Sequence, residues 1–131
     1  MIYVDSNVPM YLVGAQHPNK RRAIEVTSQL ITGREELVTS AETYQEIIHR
    51  FLALRDREHL VAAYDVLEKL TDNAANVTKA DVDQARAVSA EHGRLSARDC
   101  LHVAIMQRLG CTRLWSFDEG FDQVPAIQRI A

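Results

Sequence analysis

Short apolar runs alternate along this chain with longer stretches in which apolar residues recur every three or four positions. Ile2-Tyr-Val-Asp5 is a compact apolar run closed by an acid and reads as a buried strand. Ser6-Asn7-Val8-Pro9 sets cap-forming residues ahead of a proline suited to a first helical turn, and Tyr11, Leu12 and Val13 carry that short helix to Gly14. His17-Pro18-Asn19 opens a second helix over residues 20–32, with Ala23, Val26, Leu30 and Ile31 on one side and Gly33 as its stop. Residues 36–39 read as the second strand. Ser40 is placed to cap a helix in which Tyr44, Ile47, Ile48, Phe51 and Leu54 share a face.

Beyond a polar break at residues 55–58, Leu60, Val61, Tyr64, Leu67 and Leu70 predict another amphipathic helix. Residues 73–77 are turn-rich and hold a short third strand. Residues 78–92 are helical, opened by a Thr78–Asp81 capping box and ended by Gly93. A last long helix covers residues 96–109 and stops at Gly110. Residues 112–117 predict a strand, 118–122 an acidic turn and 126–130 a final short strand. Strands alternating with helices give an α/β domain with a mostly parallel central sheet.

Length and composition fit that picture: 131 residues, 47% hydrophobic and 25% charged, predict a single globular domain over residues 1–131. The longest apolar runs fall far short of the roughly 20 residues that span a bilayer, and the N-terminus lacks a signal-peptide pattern, so a cytoplasmic protein is expected. Cys100 and Cys111 read as reduced core residues. With 15 basic and 18 acidic residues the net charge is −3, and neither half carries a basic tail. That balance speaks against a purely electrostatic nucleic-acid binder and leaves room for an enzyme that uses its acids.

In open parallel sheets, ligands gather at the carboxyl ends of the strands. Asp5 and Asp118 both close strands and so share one rim; Asp99 lies in the first turn of its helix, and Glu46 in the helix after the second strand. Carboxylates drawn together repel unless a cation joins them, and hard divalent ions prefer oxygen ligands. The chemistry this suggests is metal-assisted hydrolysis of a phosphodiester. Each acid also has a plainer explanation. Asp5 suits a turn, Glu46 an i,i+4 pair with Arg50, Asp99 a capping box with Ser96, and Asp118 a solvated loop beside Glu119 and Asp122.

Four fragments, taken in order, resolve the choice: Ile2-Tyr-Val-Asp5-Ser-Asn7, Ser40-Ala-Glu-Thr-Tyr-Gln-Glu46, Ser96-Ala-Arg-Asp99-Cys-Leu-His-Val-Ala104 and Leu114-Trp-Ser-Phe-Asp118-Glu-Gly-Phe121. With them the chain resembles PIN-domain ribonucleases over essentially its whole length, most closely the VapC-like toxins of type II toxin–antitoxin pairs. The resemblance implies a three-layer α/β/α sandwich whose acids bind Mg²⁺ or Mn²⁺ and hydrolyse RNA, leaving 5′-phosphate and 3′-hydroxyl ends. By position it makes Asp5, Glu46, Asp99 and Asp118 the catalytic and metal-binding acids, with Asn7 and Ser116 supporting them. Glu42, one helical turn before Glu46, competes for the second place, or serves as a cap partner of Thr39; beyond the fourth acid, Asp122 is preferred to Glu119. The same resemblance implies a VapB-like antitoxin partner and a homodimer.

Other residues carry less. His102, three after Asp99, and His49, three after Glu46, are placed where they could see substrate or metal but read in preference as packed or partly exposed histidines, and Trp115 as core or interface. Lys20-Arg21-Arg22 and Arg50, Arg55 and Arg57 read as solvated helix faces in preference to RNA-phosphate contacts. Among rivals, a haloacid-dehalogenase-type phosphatase needs D-x-D where Asp5-Ser-Asn7 stands, and a receiver domain needs a late lysine, whereas the last one is Lys79. A non-catalytic PIN-like scaffold that binds RNA or protein is the remaining alternative.

Overall fold

The computed structural model describes residues 1–131. Strands β1 (Ile2–Val4), β2 (Leu37–Ser40), β3 (Asn73–Ala75), β4 (Arg113–Trp115) and β5 (Gln128–Ile130) form one sheet, ordered β3-β2-β1-β4-β5, in which every neighbouring pair is parallel. Helices α1 (Asn7–Val13), α2 (Pro18–Thr32), α3 (Ala41–Ala53), α4 (Arg57–Leu70), α5 (Lys79–Glu91) and α6 (Ala97–Leu109) make the crossovers, and a 3₁₀ turn (Glu119–Gln123) joins β4 to β5.

Side chains alternate across a strand, so β1 feeds two cores. Ile2 and Val4 pack with Val8, Ala23, Val26, Ile47, Phe51, Leu67 and Trp115 beneath α1–α4. Tyr3 packs on the opposite face with Val88, Val103, Ile105 and Met106 of α5 and α6. Central strands buried on both faces are what a parallel sheet between helical layers requires, and the result is the three-layer α/β/α sandwich. Both cysteines are buried and free. No helix is long and apolar enough to cross a membrane.

Several boundaries differ from expectation for local reasons. Helix α2 begins at Pro18 because His17 caps it, its Nδ1 accepting the Asn19 N–H at 3.0 Å. Ser40 occupies the N-cap position of α3 but makes no side-chain cap; its hydroxyl goes to Tyr3 instead. Thr39 likewise does not cap Glu42, because its hydroxyl donates to the Val4 carbonyl at 2.8 Å. The last strand begins at Gln128 rather than at residue 126.

The Thr78–Asp81 capping box forms in both directions. Arg108 of α6 adds bonds to both Asp81 oxygens at 2.7 and 3.0 Å, tying α5 to α6. Asp81→Ala is expected to cost about 1–2 kcal/mol, the usual loss for such a cap, as measured by urea unfolding. The Arg108 guanidinium holds the Asp81 carboxyl below the usual carboxylate range. Its contribution is therefore present above the unfolded value of about 3.9 and lost as pH falls through the lower, folded one.

Candidate active site

The ladder between β1 and β4 extends one residue past the strands: the Asp5 N–H donates to the Trp115 carbonyl at 3.0 Å, which seats Asp5 at the carboxyl rim of the sheet. Asp5 is 5% exposed. Its Oδ1 accepts the Ser6 N–H at 2.7 Å, and its Oδ2 accepts the Ser116 hydroxyl at 2.6 Å and the Asn7 amide at 3.3 Å. Asn7 also bonds Ser116 Oγ at 3.2 Å and accepts the Phe117 N–H, while Ser116 Oγ accepts the Asp118 N–H at 3.0 Å. Asn7 and Ser116 thus knit Asp5 to the loop that carries Asp118. The Asp118 side chain is exposed, and its Oδ1 accepts the Gly120 N–H at 2.8 Å, capping the 3₁₀ turn.

Asp99 arrives from the start of α6. Only half of the expected capping box exists there: Ser96 Oγ accepts the Asp99 N–H at 3.1 Å, but no return bond forms from the carboxylate. That carboxylate is left at the rim. Burial, then the charges of Asp5 and Asp118, with a further push from Glu46, lift its carboxyl to about 7 against the opposing pull of His102. Burial likewise raises Asp5, with His102 and Ser116 working against it. Asp99 thus feels the charges of Asp5, Asp118 and Glu46.

Glu46 turns to His102 Nε2 rather than to Arg50. Candidate ligand atoms of Asp5, Glu46 and His102 lie within 4.8 Å of one another. His102 is fully buried, as the preferred reading of a packed histidine requires, and its ring also meets the acids, as the reading in which it sees the site allows. The signal for the second reading is its spacing, one helical turn after Asp99 on α6. Burial opposes a charged imidazole, yet Tyr3, Glu46 and Asp5 outweigh it and raise His102 well above its ordinary value. His49 is exposed.

Glu42 borders this cluster, half-buried; burial and then Glu46 raise its carboxyl against His102 and Arg98. Asp122 is taken up by an arginine. Arg129 of β5 donates to both its oxygens, at 2.9 and 3.0 Å, and holds its carboxyl low. The carboxylate expected as an additional acid is thus occupied by Arg129, which also bonds the Ser116 carbonyl at 3.2 Å and braces the loop. Lys20 bonds the Gly14 carbonyl, and Arg21 and Arg22 lie beside Glu25 on the α2 surface.

The set suits a hard cation. It offers carboxylate oxygens and no thiolate, the charges crowd one another, and the Asp99 carboxylate has no protein donor to satisfy it. The PIN-domain model matches residues 2–127 of the sequence. The chain belongs to the PIN-domain family. This PIN domain is 47% identical over 131 residues, all of both chains, to a VapC ribonuclease of Mycobacterium bovis and to ribonuclease VapC13 of Mycobacterium tuberculosis. It is 40% identical over 118 residues to ribonuclease VapC23 of Mycobacterium tuberculosis, covering 90% of this chain and 93% of the relative. Among solved structures it is similar in fold to Mycobacterium tuberculosis VapC20, a sarcin–ricin loop cleaving toxin, with a TM-score of 0.75 at 20% identity over 94% of each chain. VapBC2 of Rickettsia felis, bound to a promoter DNA fragment, gives a TM-score of 0.75 at 13% identity over 99% and 98% of the two chains.

Proposed function

We infer that this PIN domain is a divalent-metal-dependent endoribonuclease, the toxin of a VapBC-type toxin–antitoxin pair acting in the cytoplasm. What supports this reading is the shift of Asp99 by the charges of Asp5, Asp118 and Glu46, in a chain 47% identical to VapC ribonucleases. These four acids would hold Mg²⁺ or Mn²⁺. When bound, such an ion lowers the pKa of water and offsets the charge that develops on a phosphodiester.

The protein's own part is positional. Asn7 and Ser116 fix Asp5 through its Oδ2, and the Asp118 turn is fixed by Ser116 and Gly120. Asp99, with no protein donor on its carboxylate, and Asp118, with Oδ2 free, orient the attacking water and take its proton. Attack in line with the leaving 3′-oxygen yields 5′-phosphate and 3′-hydroxyl ends. Ser116→Ala removes the shortest bond to Asp5 and is expected to lower metal-dependent cleavage about 10–100-fold while the protein still folds, as read by initial rates beside circular dichroism.

Ile24 and Ile31 of α2, Leu52 of α3 with Leu54 at its C-cap, and Val61 of α4 remain exposed on the helical layer away from α5 and α6. Apolar surface of that kind suits a VapB-like antitoxin and a second copy of the chain. The test of the activity is incubation with structured RNAs, transfer RNA and ribosomal fragments among them, in Mg²⁺, in Mn²⁺ and in EDTA. Cleavage only with a divalent ion is expected. Cleavage unchanged in EDTA overturns the reading, and RNA binding without cleavage by folded, metal-supplemented protein favours the scaffold.

A further inference from the structure

Behind Glu46 runs a buried chain of hydrogen bonds. Ser40 Oγ lies 2.6 Å from the Tyr3 hydroxyl, that hydroxyl lies 2.7 Å from His102 Nδ1, and His102 Nε2 meets Glu46 Oε1. Tyr3, Ser40 and His102 are each 0% exposed. The sequence places them for this purpose. Tyr3 faces α6 by strand alternation, Ser40 ends β2 with its hydroxyl withheld from the α3 cap, and His102 stands one turn after Asp99.

Glu46 needs such a tether more than its neighbours. Asp5 is held by the Ser6 N–H just past β1, Asp118 by the Gly120 N–H of the 3₁₀ turn, and Asp99 sits in the first turn of a helix whose start is fixed by Ser96. Glu46 projects from within α3 on a longer side chain with more rotamers to lose, and His102 is its protein donor. Both imidazole nitrogens are already engaged, Nδ1 with Tyr3 and Nε2 with Glu46, which leaves no lone pair for an ion.

We propose that His102, anchored by Tyr3 and Ser40, is a positioning residue that aims the Glu46 carboxylate at the Asp5–Asp99–Asp118 rim and so sets divalent-ion affinity without ligating the ion. This role rests on the hydrolytic function inferred above. It differs from the alternative in which His102 joins Asp5 and Glu46 as a ligand, which their mutual distances alone would permit.

The experiment titrates Mn²⁺ by calorimetry into wild type, His102→Leu, His102→Gln and Tyr3→Phe, and measures kcat and KM for a cleaved RNA in parallel. Groups that orient metal ligands typically cost 10–100-fold when removed. His102→Leu is expected to weaken Mn²⁺ binding by about that factor and to lower kcat with KM for RNA little changed. His102→Gln keeps an N–H near the Nε2 position and recovers most of both quantities; Tyr3→Phe falls between Leu and wild type. Wild-type Mn²⁺ affinity in His102→Leu overturns the proposal, as does a His102→Gln protein no better than His102→Leu. Should His102→Leu not fold, Tyr3→Phe decides: weaker Mn²⁺ binding at an unchanged melting temperature supports the tether, and wild-type binding overturns it. A wild type that neither binds Mn²⁺ nor cuts RNA overturns the hydrolytic function itself. A metal-dependent wild type with indifferent variants overturns only the role of His102.

Discussion

Asp99→Asn is expected to slow Mg²⁺-dependent RNA cleavage by about 10²- to 10³-fold, corresponding to the few kcal/mol that a correctly held divalent ion contributes. The same substitution is expected to stabilise the metal-free protein. The Asp99 carboxylate accepts no hydrogen bond from the chain, so asparagine forfeits no structural contact there. What it removes is a charge facing Asp5 and Asp118. Single-turnover cleavage and urea unfolding in EDTA measure the two effects. Loss of activity with loss of stability would instead mark Asp99 as a structural residue. Asp122→Asn is the contrast: its carboxylate faces Arg129, so cleavage is expected to persist.

The second large effect is a pH dependence that metal abolishes. In the metal-free protein the Asp99 carboxyl sits at about 7, against about 3.9 in an unfolded chain. Asp5 and Glu42 are raised in the same direction, burial being the first cause in each. An acid with a raised folded pKa binds more protons folded than unfolded, so stability falls as pH climbs from about 4 to about 7. His102 has the same sign: its stabilising contribution is complete below about 6.5 and fades as pH rises through its raised folded value. Asp81, Asp122, Asp56 and Glu35, held low by Arg108, Arg129, the His59 backbone and Arg113, act with the opposite sign only below about 4. The metal-free melting temperature should therefore drop between about pH 5 and pH 7.5. Mg²⁺ at 100 times its Kd should return about 2.7 kcal/mol at the upper end. In Asp99→Asn both responses shrink. A melting temperature that rises over this window contradicts the crowding of acids at the rim.

Asp5 and Asp118 were legible in the sequence because a parallel sheet sends all its carboxyl ends to one rim, and short apolar runs closed by an acid mark those ends. Asp99 was ambiguous: Ser96-Ala-Arg-Asp99 fits a capping box as well as a site, and only the missing return bond separates the two. The preference for Asp122 over Glu119 could not foresee the pairing with Arg129, which depends on how β5 lies beside β4. Glu46 and His102 come from helices on opposite layers of the sheet, 56 residues apart. Helical periodicity records which face of each helix is apolar, not which polar residues meet beyond the sheet edge. The Glu46–Arg50 spacing pointed to a surface pair, and the buried imidazole won because it shares the desolvated rim.

The most direct test of the central claim is the chemistry of the cut ends. RNA cleaved by the wild-type protein in Mg²⁺ or Mn²⁺ is mapped for terminal groups by 5′-phosphate-dependent ligation and by mass spectrometry of the 3′ fragments. Water attacking a phosphodiester held at the Asp5–Glu46–Asp99–Asp118 rim leaves 5′-phosphate and 3′-hydroxyl ends, and their appearance only with a divalent ion is the result expected. Cyclic 2′,3′-phosphates with 5′-hydroxyl ends would mean that the RNA's own 2′-hydroxyl is the nucleophile, and would contradict the account.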